Sequence, residues 1–359
     1  MRGGAITKRA VDPSEIDALL KLSGRIGRDP LLAQASSGNT SLKRDGTLWV
    51  KASGKWLADA DREEILVPVK LAECLDRFRR GDPVPAFDES SWATHLRPSI
   101  ETFMHAVLPQ RVVLHVHSVN TIAWAVRSDA PMQLAMKLFG LPWCWIPYRR
   151  SGLPLAREIQ ICSRRDPRSN IFVLGNHGLV VAADDCAAAE ALLFEIERRL
   201  ATVPRLVPQA NFGALEEVLQ ISGWRLPRDK SIHTLGTDGH SRRIVHGGVL
   251  FPCQAVFLGG ILPILPRRTS VSGMGKRMAS LADSSPSLIL ERSGVLMSAT
   301  MSAAQYATLQ GYAEVVRRIE VSAPIRYLTN QDVKSLVGAG NHHCRISTHE
   351  AMSPSTAQH

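Results

Sequence analysis

Three histidines carry the first suggestion of chemistry. His115 and His117 are one residue apart in the run 111–117, whose other members are mainly apolar and β-branched, and His177 sits in the short interval Gly175-Asn176-His177-Gly178 between two apolar runs. Two imidazoles from one strand and a third from a turn can give a divalent ion three nitrogen ligands while leaving a position open to substrate. A strand histidine can equally well pack and hydrogen-bond without meeting a metal, and a bare His-x-His does not separate the two. The six cysteines, Cys74, Cys144, Cys162, Cys186, Cys253 and Cys344, contain no Cys-x-x-Cys pair, which argues against a disulfide framework and against a cysteine zinc site. No Gly-x-Gly-x-x-Gly follows a strand, so no nicotinamide cofactor is expected.

The elements that must position these residues can be read from the pattern around them. Side chains alternate along a strand, so His115 and His117 point to one face and Val116 to the other. Residues 171–174 and 179–182 form a tight hairpin with His177 at its tip, and a helix follows over about 184–200. Ser99 can cap a helix that holds Glu101 in its first turn and ends before Pro109. His105, four residues on, shares the face of Glu101 and is expected to be a structural histidine. Upstream, Asp12-Pro13-Ser14-Glu15 predicts an N-cap, a first-position proline and a capping-box acid for a helix over 13–26. The polar stretch 36–41 then breaks the chain, Asp45-Gly46 predicts a hairpin, and Ser53-Gly54 forms a second turn that can face the first across neighbouring strands.

Pro204 and Pro208 mark a linker, which places a domain boundary near Arg205: residues 1–205, then 206–340, then a loose tail over 341–359. The tail's His342, His343 and Cys344 lack flanking elements to orient them and are assigned no role. Residues 287–296 and the Ala-rich segment after them echo the 170–200 pattern, with Ser293 where His177 stood; a true repeat and a chance match both account for it. The hairpin signals and short links predict an α/β/α layered domain with a mostly antiparallel sheet, followed by a smaller α/β domain.

Composition bounds the function. A chain of 359 residues with 45% hydrophobic and 21% charged residues can bury a sizeable core. Its net charge of +10 is spread in pairs such as Arg79-Arg80, Arg149-Arg150, Arg164-Arg165 and Arg267-Arg268 without interleaved aromatics, which suits a small anionic substrate and argues against nucleic acid. The basic loop Tyr148-Arg149-Arg150-Ser151-Gly152, ahead of His177, can meet substrate or a neighbouring subunit, and a solvated charge pair is the preferred reading. No apolar run reaches the roughly 18–20 residues that span a bilayer, and the opening MRGGAITKRA lacks a signal-peptide core, so a cytoplasmic location away from membranes is expected.

Five stretches, SGNTS at 37–41, KASG at 51–54, PSIETFMHAVLP at 98–109, VVLHVHS at 112–118 and LGNHGLVVA at 174–182, resemble in their order the class II aldolase/adducin family, the fuculose- and rhamnulose-phosphate aldolases and their relatives. The resemblance implies that His115, His117 and His177 bind zinc or, alternatively, manganese, cobalt or iron, and that Glu101 is the acid/base. It also implies that the backbone and side chains around Gly38, Asn39, Ser53, Gly54 and Ser99 hold a substrate phosphate. Gly46 and Gly178, taken by themselves, are expected to be ordinary turn glycines. The family pattern has two serines before the glutamate; Ile100 replaces the second here. Residues 247–265 and 324–329 resemble the second domain of a longer branch, seen in bacterial rhamnose-utilisation proteins where the aldolase-like part is fused to a short-chain dehydrogenase, and are expected to supply packing, oligomer contacts or a lid. The activity implied is carbon–carbon cleavage or formation in a ketose phosphate or similar sugar acid through a metal-stabilised enediolate, by a homo-oligomer. An epimerase or decarboxylase on the same site is an alternative, as is a non-catalytic adducin-like interaction module, against which the retained histidines and Glu101 count.

Overall fold

The structure, a computed structural model, describes residues 13–85, 96–219, 223–266, 278, 280–281 and 285–339. Asp12, Arg267, Arg268 and the 341–359 tail with His342, His343 and Cys344 lie outside the described residues.

Seven strands form the main sheet in the order β3-β2-β1-β4-β7-β6-β5: β1 Asn39–Arg44, β2 Thr47–Lys51, β3 Leu66–Lys70, β4 Val112–Val116, β5 Trp143–Ile146, β6 Ile171–Leu174 and β7 Gly178–Ala183. All neighbours are antiparallel except β5 and β6. The β1–β2 link is the two-residue turn Asp45-Gly46, with φ of 48° and 77°, the left-handed pair that a tight hairpin needs and that Asp and Gly tolerate.

Strand alternation sorts the sheet's side chains into two cores. Val112, Leu114, Val116, Ile171, Val173, Leu179 and Val181 pack against Leu19, Leu22 and Ile26 of α1 (Pro13–Arg28) and Leu193 and Ile196 of α7 (Cys186–Leu200). Val113, Phe172, Leu174, Val180 and Ala182 face the other way, onto α2 (Leu71–Arg80), α3 (Thr102–Val107) and α6 (Leu153–Arg165). This is the three-layer α/β/α arrangement with a mostly antiparallel sheet that the sequence predicts. Glu15 is engaged by Arg44 at 2.6 Å and Arg111 at 2.9 Å, and Asp12, its partner in the expected capping box, lies outside the described residues. No helix among the described residues is long and apolar enough to cross a membrane.

A second sheet follows the irregular segment 201–211, with the order β8-β11-β10-β9: β8 Trp224–Arg225, β9 Ile264–Leu265, β10 Ser287–Leu290 and β11 Gly294–Ser298. Its pairings, antiparallel, antiparallel and parallel, repeat those of β4-β7-β6-β5. Leu290 pairs with Gly294 as Leu174 pairs with Gly178, and Arg292 at φ 61° stands where Asn176 stands at φ 53°. Carried along that register, Leu226 takes the place of His115. The echo in the sequence is thus a recurrence of strand pairing, and the counterparts of His115 and His177 are Leu226 and Ser293, neither able to serve as an imidazole ligand.

The two parts share a core. Val119, Ile122, Ala123 and Val126, on and just after α4 (Val119–Ala125), pack with Ile232, Leu250, Phe251, Leu309 and Tyr312 of the later chain. Because α4 begins two residues after His117, this contact braces the strand end that carries the histidines.

Candidate metal centre

His115 lies on β4, His117 is the first residue beyond it, and His177 stands in the turn between β6 and β7. The adjacent strands β4 and β7 run antiparallel, with Val116 opposite Leu179, so the β4 end meets the β6–β7 turn. One ring nitrogen from each histidine lies within 4.8 Å of the others, and the ring centroids are 4.9–5.0 Å apart. All three rings are buried. Ser118 caps α4 by accepting from the Thr121 N–H at 3.0 Å, which fixes the backbone just past His117.

Two glycines let the backbones come this close. A Cβ on Gly178 would stand 2.4 Å from the Val116 carbonyl oxygen, so the residue is required by close approach and is not the ordinary turn glycine expected from sequence. Gly38, at φ 70°, would put a Cβ 2.8 Å from the His115 carbonyl oxygen. Gly46 has nothing within 4 Å of that position and is a turn glycine only.

Glu101 is the residue before α3 and not in its first turn, with φ −94° and ψ 8°. A turn over 99–102 comes first because the Ser99 hydroxyl accepts from the Glu101 N–H at 3.2 Å and the Ser99 carbonyl accepts from the Thr102 N–H at 3.0 Å. That offset sends the carboxylate into the histidines: Oε2 is 3.3 Å from His115 Nε2, and Oε1 is 3.4 Å from His177 Nε2. Asn39, directly opposite His115 across β1 and β4, donates to Oε2 at 2.8 Å. Ser151 donates to Oε1 at 2.9 Å. Of the two readings of this loop, Arg149 fits the solvated one, paired with Glu158 at the surface, whereas Ser151 turns inward to Glu101.

His105 is buried and bonded at both nitrogens, as expected of a structural histidine, yet it reaches Glu101 through one intermediary. Asn39 uses its amide hydrogens on Glu101 and Ser99, so its Oδ1 accepts from His105 Nε2, and Ser41 then donates to His105 Nδ1 at 2.7 Å. The turn residues predicted for substrate gather around the same centre. Ala52 bridges to Pro98, Ser99 N–H donates to the Lys51 carbonyl at 3.2 Å and Ser53 N–H to the Arg97 carbonyl at 2.8 Å, so Ser53 and Gly54 run beside Ser99. The buried Lys51 ammonium donates to the carbonyls of Ser36, Ala52 and Lys55, joining the two turns expected to face one another.

Residues 19–203, just over half of the chain, match the model of the class II aldolase and adducin N-terminal domain. The chain belongs to the class II aldolase/adducin family. The protein named "Uncharacterized oxidoreductase YuxG" from Bacillus subtilis (strain 168) is 29% identical over 184 residues, 47% of this chain and 26% of that relative, so the match spans about a quarter of the relative's length. Among solved structures, the N-terminal class II aldolase domain of a conserved protein from Thermoplasma acidophilum covers 56% of this chain and 98% of its own, at 25% identity and a TM-score of 0.43. L-fuculose-1-phosphate aldolase from Thermus thermophilus covers 52% and 92%, at 16% identity and a TM-score of 0.38.

The centre of this family member can be tested for its fit to a cation. His115 Nδ1–H donates to the Leu179 carbonyl at 3.0 Å, which leaves Nε2 with its lone pair toward the centre. His117 Nε2 is 3.2 Å away, close to the ~3.3 Å that a tetrahedral ion imposes on two nitrogen ligands at ~2.05 Å. The carboxylate oxygens of Glu101 turn to the same point. Acceptors converging in a buried place repel unless a cation lies among them. Protons are disfavoured there: burial first, then His115 and His177, pushes His117 well down, and burial pushes His177 down to about 4 against the pull of Glu101. Burial alone would raise Glu101; its electrostatic interaction with the facing imidazoles of His115 and His177 and the Asn39 hydrogen bond outweigh it and hold the carboxyl well below its ordinary range. The donor set fits a divalent ion.

Burial, followed by the Lys43 charge, pushes His105 down to about 3. Between pH 6.5 and about 3 the unfolded chain therefore binds a proton here that the folded chain refuses. Stability is lost as pH falls through that window, by up to ~1.4 kcal/mol per pH unit. In urea unfolding at pH 7 and pH 5, wild type is expected to lose more stability than His105→Gln. A wild-type slope no steeper than the variant's would mean that the folded protein accepts the proton.

Proposed function

We propose that the chain is a metal-dependent carbon–carbon lyase of the class II aldolase type, acting on a ketose phosphate or similar sugar acid. The observation that carries this reading is the Glu101 carboxylate set 3.3–3.4 Å from two of three converging histidines in a buried centre. His115, His117 and His177 would hold the ion, with zinc favoured by three imidazoles and manganese, cobalt or iron also suited. When bound, the ion supplies Lewis-acid polarisation of carbonyl and hydroxyl oxygens.

The chain's own residues do the rest. Glu101 moves the proton: Oε1 accepts from Ser151 and Oε2 from Asn39, and each oxygen keeps a lone pair for a substrate proton. The Asn39 amide spends both hydrogens on Glu101 and Ser99 and so aims the base. Ser99 accepts two hydrogen bonds at Oγ and retains its own O–H for a substrate anion, beside Ser53, Gly54 and the Gly38 turn. Residues 1–205 would be the metal-binding unit and 206–340 a second unit of a cytoplasmic homo-oligomer whose partner is a small anionic sugar.

Incubating the metal-loaded protein with a panel of ketose phosphates, pentulose phosphates and keto acids is the test. Release of an aldehyde and a three-carbon ketone fragment supports the lyase. Epimerised or decarboxylated products alone would assign the site to a different bond, and a chain without bound metal would leave the interaction-module reading.

Ile100 bears on the phosphate. Its side chain is 57% exposed beside Ser99, so a hydroxyl there can reach a ligand from solvent. Ile100→Ser is expected to tighten inorganic phosphate and a ketose phosphate by up to about tenfold, the worth of one hydrogen bond to a charged group, and to leave unphosphorylated analogues nearly unchanged. Calorimetric titration checks it; no change for either phosphate would place that side chain away from the bound anion.

A further inference from the structure

Two of the three histidines of the centre are held from the later part of the chain, His117 directly and His177 through its neighbour Asn176. His115 is oriented inside the main sheet by the Leu179 carbonyl. His117 Nδ1 faces Cys253 Sγ at 3.3 Å, from the helix Pro252–Leu258. With Nε2 turned to the centre, Nδ1 carries the proton of a neutral ligand and donates it to the sulfur. The His177 ring has no partner at Nδ1 among the described residues, so its position depends on its turn. That turn is gripped through Asn176, whose amide donates to the carbonyls of Leu250 and Arg326, each at 2.8 Å, while its Oδ1 accepts from Arg326 Nε at 2.8 Å. The segment that grips is itself anchored on the first part, by Arg326 N–H to the Val126 carbonyl at 2.7 Å and the bridge of Arg127 with Ile325.

We infer that the later part of the chain is a constituent of the metal centre, with Cys253 and the Asn176–Arg326 clamp as positioning residues for His117 and His177. This goes beyond the packing, oligomer contacts or lid expected of that part, and it rests on the reading that the three histidines hold the ion. Partners of metal-bound histidines set ring orientation and ligand basicity, and losing one weakens metal binding by about ten- to a hundredfold. An exposed contact between two parts of a chain would leave the ion untouched.

The test uses the full chain loaded with cobalt(II), whose visible absorption reports ligand geometry, together with the cobalt Kd measured by chelator competition. Cys253→Ala is expected to raise Kd about ten- to a hundredfold and shift the cobalt spectrum, and Cys253→Ser to restore both in part by returning an acceptor to His117 Nδ1. Asn176→Gly keeps a residue at ease at φ 53° but removes the clamp, and a rise of similar size is expected. Wild-type Kd and spectrum in both Cys253→Ala and Asn176→Gly would overturn the inference. His115→Ala is the separate arm: if it binds cobalt as wild type does, the histidine reading itself has failed.

Discussion

Glu101→Gln is expected to hold as much metal as the wild type and to turn substrate over about a hundred- to ten-thousandfold more slowly, the range that positioned acid–base catalysis supplies. Glutamine matches the volume of the carboxylate, and its carbonyl can still accept from Asn39 or Ser151, so the buried pocket keeps its shape. What it lacks is an oxygen that can take a proton at neutral pH. The histidines remain and keep their nitrogens turned inward, His115 through Leu179 and His117 beside Cys253. Elemental analysis and steady-state turnover on the same preparation separate the two effects. A variant that works at near the wild-type rate would place the base elsewhere, and one that arrives without metal would make Glu101 a ligand first.

His115→Ala and His177→Ala are each expected to lower metal affinity by more than about a hundredfold, beyond the loss caused by removing a ligand's partner alone. Each substitution removes one of the three nitrogens that converge among the described residues and leaves a hole in a buried place. The damage is not equal in kind. His115 stands mid-sheet between Asn39 and Val180, where the strand pairings hold the backbone, so its alanine variant should fold and lack metal. His177 sits on a turn clamped by Asn176, and its loss leaves the clamp intact. His343→Ala serves as the reference, since nothing in the sequence orients that residue. Equal metal in all three variants after dialysis would remove the histidines from the proposed centre.

How much of this was legible in the sequence follows from the range of the forces involved. Asp45-Gly46 announced its hairpin because a two-residue turn needs positive φ at both positions, a demand met within the dipeptide. The helix predicted over 13–26 runs two residues further, to Arg28, since a 3.6-residue apolar period marks a helix's face better than its end. Glu101 was placed in the helix when it precedes it, because the Ser99 hydroxyl turns the chain before helical bonding starts, and such local competition leaves little trace in periodicity.

What the sequence by itself determined is therefore what lies within a few residues: that His115 and His117 share a strand face, that His177 tops a hairpin, and that small hydroxyl and amide residues line two turns. The tertiary structure alone decided that β4 lies between β1 and β7, which sets Asn39 opposite His115 and delivers His177 to it. It alone decided that Gly178 is demanded by the Val116 carbonyl, that Ser151 reaches Glu101, and that Cys253, 136 residues from His117, touches its ring. The physical reason is that these contacts are made between elements distant in the chain. Their partners are chosen by how two apolar faces pack and which strand edges pair, and neither the spacing nor the composition of any one segment records that choice.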